Sequence, residues 1–186
     1  MSELSTLALA DAADARENAE MSRDLIEQAL TWSWTPARVQ HFITGTESSV
    51  VVARRERRGD TAGGDEWRGD APRMAAPRGD ARRMAAPRIA AFAIMHFGDE
   101  VAHLNLLAVA PEHRRQGLGR QLMDWLTTTA IEAGVFRINL ELRTQNGSAR
   151  AFYEKLGFDE LGVVQGYYQG REAALRMSRR LGATQR

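Results

Sequence analysis

Cysteine is absent from the 186 residues. That excludes a disulfide-stapled scaffold, a thiolate metal site and a cysteine nucleophile together. No apolar run approaches the length a bilayer demands. The start, Met1-Ser-Glu-Leu-Ser, has neither the basic flank nor the apolar core of a secretory leader, so a soluble, cytoplasmic chain is expected. His41, His96 and His113 stand at no spacing that suggests a metal site, so none is expected. Two nucleotide fingerprints are missing as well: no Gly-Lys-Ser/Thr ending marks a P-loop, and Leu122 stands where Gly-x-Gly-x-x-Gly needs its third glycine. What remains is an ordinary globular composition, 44% hydrophobic and 26% charged, in a length that suits one domain with a real core.

The net charge of +1 hides an asymmetry. Between Arg54 and Arg88 ten arginines face six acids, which leaves 15 basic against 18 acidic residues elsewhere. A slightly acidic body suits a cationic amine substrate. The same stretch holds a tandem repeat, Arg68 to Pro77 and Arg78 to Pro87, differing at one position. Two copies are too few for a solenoid. Gly, Pro, Ala, Arg and Asp without periodicity bury too little to offset ordering, so residues 56–86 are expected to be a mostly disordered insert within a single domain, 1–186. Aspartates among the arginines argue against a nucleic-acid partner. Without a secretion signal, an adhesion role for the Arg-Gly-Asp triplets is set aside.

Periodicity orders the rest. Thr6 to Ala10 reads as a strand. A helix follows, capped by Asp11 or Asp14, with Met21, Leu25, Ile26, Ala29 and Leu30 as its apolar face. Thr35 and Pro36 open a second helix carrying Val39, Phe42 and Ile43. Strands are expected at Ser49 to Arg54, Arg88 to Met95 and up to Val109, the last two joined by a turn at Gly98-Asp99. A helix beginning near Gly117 ends at Gly134, and a strand runs from Phe136 to Arg143. A helix opened by Asn146 or Ser148 then precedes a hairpin around Gly170. The order β-α-α-β-(insert)-β-β-α-β-α-β-β predicts an α/β (α+β) domain, a mixed sheet with helices on both faces.

One stretch carries specific chemistry. Leu104 to Val109 reads as a buried strand that Pro111 ends, and Arg114-Arg-Gln-Gly-Leu-Gly-Arg120 turns into the next helix. A glycine-containing turn at a helix start presents main-chain N–H groups at the positive end of the helix dipole. Gly117 and Gly119 lack a Cβ, so a large anion can lie against the backbone. The arrangement asks for a pyrophosphate.

The spacing Arg114-x-x-Gly117-x-Gly119 between strand and helix resembles the acyl-coenzyme A signature of the GNAT superfamily of N-acetyltransferases. Leu140-Glu-Leu-Arg143, Asn146 and Phe152-Tyr-Glu-Lys-Leu-Gly-Phe158 extend the likeness. Together with Arg88 to Val109, they resemble the ribosomal-protein alanine N-acetyltransferases over most of Ile89 to Met177. The resemblance implies a mostly antiparallel sheet of about seven strands and acetyl-CoA as donor. It implies a primary amine acceptor, a protein or peptide N-terminus or else a small amine; the alternative is a non-catalytic acyl-CoA-binding protein that uses the arginine-rich insert to bind a partner. A monomer or weak dimer is expected, with no membrane contact. The main chain of Leu107, Ala108 and Val109 would meet the pantetheine amides. Arg114, Arg115, Gln116, Gly117, Leu118, Gly119 and Arg120 would hold the pyrophosphate, and Asn146 the pantetheine arm. Glu141 aligns with the family's general base and Tyr153 with its general acid. An amine at neutral pH must lose a proton before it attacks a thioester. His103 is a rival base, since an imidazole titrates near neutrality. Trp32, Trp34, Arg143, Tyr167 and Tyr168 are candidate acceptor-side residues; for the two tryptophans, packed core is the alternative. The basic pair that the ribosomal-protein enzymes carry before Tyr-Tyr is missing from Val164-Gln-Gly-Tyr-Tyr168.

Overall fold

A computed structural model describes residues 5–55 and 88–182. The insert 56–86 and both repeat copies lie outside the described residues. The elements are β1 (Ser5–Leu9), α1 (Ala15–Leu25), α2 (Pro36–Thr44), β2 (Ser48–Arg55), β3 (Arg88–Phe97), β4 (Val101–Val109), α3 (Leu118–Glu132), β5 (Arg137–Arg143), α4 (Gly147–Lys155), β6 (Asp159–Tyr168) and β7 (Glu172–Arg180). Short 3-10 turns at Ala12–Asp14 and Pro111–His113 introduce α1 and follow β4. The seven strands form one sheet in the order β1-β2-β3-β4-β5-β7-β6. Every pairing is antiparallel except β4 with β5. No described helix is long and apolar enough to cross a membrane.

Each face of the sheet buries one helix pair. On the first, Leu118, Leu122, Met123 and Leu126 of α3 and Tyr153 of α4 pack on Leu104, Ile138, Leu140 and Met177. On the second, Ala15 and Ala19 of α1 and Val39 of α2 pack with Trp34 on Phe92, Ile94 and Leu106. Strand β5 shows why the sequence chose this: Ile138, Leu140 and Leu142 are buried while their neighbours are half-exposed. The first helix differs from expectation. It ends at Leu25, and its most buried residues are Ala15, Asn18, Ala19 and Ser22, with the expected Met21, Leu25 and Ile26 half-buried against the same core. Small residues let α1 lie close to the sheet. Ala29 stands at φ 63° beyond the helix and cannot continue its face.

The sheet comes apart at one place. β4 and β5 pair only from Val101 and Arg137 to Leu104 and Leu140. On the other side of β4, Met95 opposes Leu104 and Ile94 opposes Leu106, so Asn105 is an extra residue. A bulge bends its strand and inverts the alternation beyond it. Leu104 therefore faces the α3 layer and Leu106 the α1 layer. From this point β4 and β5 diverge into a fork.

Arg54 makes a bidentate pair with the buried Asp14, at 2.8 and 2.6 Å, and Glu17 accepts from the Ile89 amide at 3.1 Å. These contacts fasten the facing ends of β2 and β3 to α1, and Arg55 and Arg88 already lie in register. Replacing residues 56–87 by a short Asn-Gly turn is accordingly expected to preserve the fold. A connection shortened about tenfold loses about 2 kcal/mol of closure entropy, so denaturant unfolding should show unchanged or increased stability.

Candidate active site

The turn between β4 and α3 is built from unusual backbone. Arg115 and Gly117 both have positive φ, 61° and 86°, a conformation that glycine adopts without strain. Gly117 is the residue preceding α3, and no side chain caps the helix. The amides of Leu118, Gly119 and Arg120 thus open toward the cavity they line, an arrangement suited to an anion. Gly119 has a different reason for lacking a side chain. A Cβ there would sit 3.3 Å from the Phe152 ring, so the glycine lets α4 dock against α3.

The cavity, about 750 Å³, runs from this turn into the fork. Its walls include Leu107 and Val109 of β4, Leu140, Glu141 and Leu142 of β5, and Asn146, Phe152 and Tyr153 of α4. Ala110 donates to the Ala90 carbonyl. Antiparallel alternation then points the main chain of Ala108 at β3 and that of Leu107 and Val109 into the fork. Ala108, expected to bond an extended ligand, is therefore a sheet member. The Val109 carbonyl accepts from Arg114 Nε at 3.2 Å. Gln116 is also engaged, donating to the Glu112 carbonyl at 3.0 Å and accepting from Arg55. Arg120 leans on Asp124 at 3.6 Å and is well exposed. Asn146 caps α4, its Oδ1 accepting from the Ala149 amide at 3.1 Å. The amide end of the side chain is the part left to face a ligand.

Glu141 is the first residue of β5 beyond the last paired position. Its carboxylate meets His103 Nε2 at 2.9 Å, Arg176 Nε at 3.3 Å and the Tyr167 hydroxyl at 3.3 Å. The side chain is only 11% exposed, against 36% for His103. The bond from His103, more than any other influence, holds the carboxyl below its ordinary pKa, against the opposing effect of burial. Tyr153 sits on the opposite wall, packed edge-on between Phe152 and Phe158. Burial pushes its phenol well above the ordinary value, which keeps it protonated. Tyr168 lines the cavity and is raised by burial in the same direction.

A roof crosses the acceptor-facing side of the fork. Arg143 donates to the Ile26 and Gln28 carbonyls at 3.0 and 2.8 Å and to Glu172 at 3.2 Å. It is a strut between β5 and the α1–α2 connection, and it also lines the cavity. Gln169 closes the far edge: its Oε1 accepts from the Thr31 amide at 3.0 Å and its Nε2 donates to the Thr31 carbonyl at 2.9 Å. Beneath the roof the buried Glu27 accepts from the amides of Ser33 and Trp34 at 2.8 and 3.1 Å. Trp34 is 8% exposed and belongs to the core, its ring beside Phe42 and covered by Arg38. Trp32 is half-buried against the same cluster. Neither tryptophan lines the cavity.

The structure thus brings together Leu107, Ala108, Val109, Arg114, Arg115, Gly117, Leu118, Gly119, Arg120, Glu141, Arg143, Asn146, Tyr153 and Tyr168 around one cavity, with Gln116 outside its lining. His103 and Tyr167 join it through Glu141. Sequence reasoning missed Arg176, Glu27 and Gln169. Arg176 had a signal, since it opposes Glu141 directly in the β5–β7 register. Glu27 and Gln169 act across connections that no periodicity describes.

The model of the acetyltransferase (GNAT) family matches residues 23–158. The [ribosomal protein bS18]-alanine N-acetyltransferase of Escherichia coli is 42% identical over 93 residues, 48% of this chain. The chain spans 63% of the length of that curated relative. The crystal structure of the ribosomal-protein-alanine N-acetyltransferase from Escherichia coli superposes with a TM-score of 0.65 at 26% identity, covering 98% of this chain and 99% of the other. The structure of Arabidopsis thaliana NAA60 in complex with acetyl-CoA shares the fold, with a TM-score of 0.72 at 11% identity over 96% of this chain and 99% of that one.

Two substitutions separate packing from binding. Trp34→Ala is expected to cost about 3–5 kcal/mol of stability through the cavity it leaves, with coenzyme affinity unchanged in the folded fraction. Gly117→Ala should cost about 1 kcal/mol for its left-handed backbone and weaken coenzyme binding several-fold. Denaturant titration and calorimetry read the two effects.

Proposed function

The chain belongs to the acetyltransferase (GNAT) family, and on that footing we propose that it transfers an acetyl group from acetyl-CoA to the α-amine of a protein or peptide N-terminus. The observation that carries this reading is the fork itself. An anion-binding turn stands at one mouth, a committed carboxylate at the apex, and a roofed approach lies on the opposite side of the sheet. The donor fits the residues present: positive-φ backbone at Arg115 and Gly117 for the pyrophosphate, and main chain of Leu107 and Val109 without a strand partner on the β5 side for the pantetheine amides, in the manner of an added strand.

The chemistry follows from placement. Glu141 and its partners draw the proton from the acceptor ammonium at the apex. The freed amine nitrogen attacks the thioester carbonyl carbon, and the carbon–sulfur bond breaks. Tyr153, held protonated by burial, donates to the departing sulfur as the acid. Both groups work in a partly water-excluded site, where such contacts are stronger.

The roof favours an acceptor presented end-on. Struts from Arg143 and Gln169 narrow the approach on the acceptor side, which an extended N-terminus can enter. Gln165 and Gly166 stand where the ribosomal-protein enzymes carry their basic pair, so a peptide with fewer acidic residues behind its terminus fits this entrance better.

The test is a release assay for coenzyme A with free N-terminal peptides, the same peptides blocked at the terminus, and small amines such as polyamines. Turnover is expected with free termini and not with blocked ones; preference for the small amines would overturn the acceptor assignment. Glu141→Gln should lower turnover by about 10²-fold or more, with acetyl-CoA affinity retained by calorimetry.

A further inference from the structure

We propose that the base at the fork is a carboxylate–imidazole pair, in which Glu141 positions His103 and His103 Nδ1 takes the proton from the acceptor. The proposal rests on the acetyl-transfer reading and deepens it. His103 is the next-to-last residue of β4 paired with β5, opposite Asn139. Glu141 lies two positions further along β5 and therefore on the same face of the sheet. That face belongs to the acceptor side, since Leu140 and Leu142 turn the other way.

The carboxylate is a poor final home for a proton. Oε1 faces Arg176 Nε at 3.3 Å, and Oε2 receives both the Tyr167 hydroxyl at 3.3 Å and His103 Nε2 at 2.9 Å. Three donors converge on a side chain 11% exposed, and protonating it would set a hydrogen against one of them. The imidazole has the complementary arrangement. A neutral ring that donates Nε2–H carries its lone pair on Nδ1. His103 is the more exposed partner, at 36%, and its outer edge can meet an amine directly or through one water. The other groups facing it are His96, opposite on β3 and exposed, with Tyr167 and Arg176 reaching it only through Glu141.

The balance closes. The ammonium N–H bond breaks and an Nδ1–H bond forms, giving an imidazolium beside a carboxylate. As the new C–N bond forms and the C–S bond breaks, Tyr153 gives its proton to the sulfur and takes the second amine proton in its place, and the imidazolium releases its own to water. One amide, one thiol and one proton result from one ammonium and one thioester.

The pH dependence of kcat/KM for a peptide acceptor decides the matter, read beside calorimetric binding of acetyl-CoA. The wild type should show a rising limb that depends on the imidazole, separate from the limb due to the amine. His103→Gln should lose that limb and about 10²-fold in kcat/KM, keep its coenzyme affinity, and leave the limb due to the amine itself. Added imidazole should restore part of the activity of His103→Ala. A His103→Gln enzyme within threefold of wild type, limb intact, would overturn the pair. If the wild type binds no acetyl-CoA or turns over no amine, the acetyl-transfer reading fails instead. The pair then stands or falls on nitrogen NMR of the imidazole: an Nε2–H tautomer lost in Glu141→Gln supports it, and an Nδ1–H tautomer in the wild type rejects it.

Discussion

The structure depends on a pairing that stops. Parallel strands gain stability by continuing their ladder, yet β4 and β5 share only the run from Val101 to Leu104. Asn105 supplies the cause, because one extra residue against β3 bends β4 away and shifts its side-chain alternation. The cost is a set of main-chain groups inside a domain without strand partners. Such groups persist only where water or a ligand can satisfy them. An extended, amide-bearing donor is the ligand that matches a strand with no neighbour.

Electrostatics then divides the fork into two halves. The donor half is cationic without being dominated by side chains, since Arg114, Gln116 and Arg120 are each drawn toward other partners. Backbone amides at Leu118 to Arg120 carry the attraction for an anion, and main chain cannot wander as long arginine side chains do. The acceptor half is organised around one anionic group. Glu141 keeps its charge because His103, Tyr167 and Arg176 converge on it, despite burial. A fixed negative centre beside the opening suits a positively charged terminus arriving from solvent.

Much of this was legible in the chain. Leu140-Glu-Leu-Arg143 alternates cleanly, so the two-sidedness of β5 follows from the pattern alone, and Thr35-Pro36 announced α2 through cap and first-turn chemistry. The turn at Gly117 and Gly119 before a helix was legible as an anion cradle from the missing Cβ, though the left-handed backbone at Gly117 was not. What escaped was governed by contacts distant in sequence. Trp34 was a plausible wall until Phe42 and Arg38 enclosed it. Arg143 was free to be a ligand-binding cation until carbonyls at Ile26 and Gln28 claimed it. The most buried residues of α1 escaped because alanine, serine and asparagine carry little hydrophobic signal, though they are what close helix–sheet packing requires. Side-chain patterns also do not show which way a strand's amides point, so the turn of the Ala108 main chain toward β3 was not legible.

The fork also explains why one short strand can serve two chemistries. Leu140 and Leu142 build one wall of the cavity with Tyr153, while Glu141 and Arg143 face the other side of the sheet, one as the charged apex and the other as the strut of the roof. Period-two alternation fixes these four in opposite directions, so neither half can shift without moving the other. A displacement of β5 by a fraction of an ångström would shift Glu141 against Tyr153 across the cavity and loosen the Ile26–Gln28 segment together. Rigidity at this strand is therefore a condition of the chemistry. Its bonding to β7 along its whole length, from Arg137 with Arg180 to Arg143 with Ala174, supplies that rigidity on the one edge that β4 does not abandon.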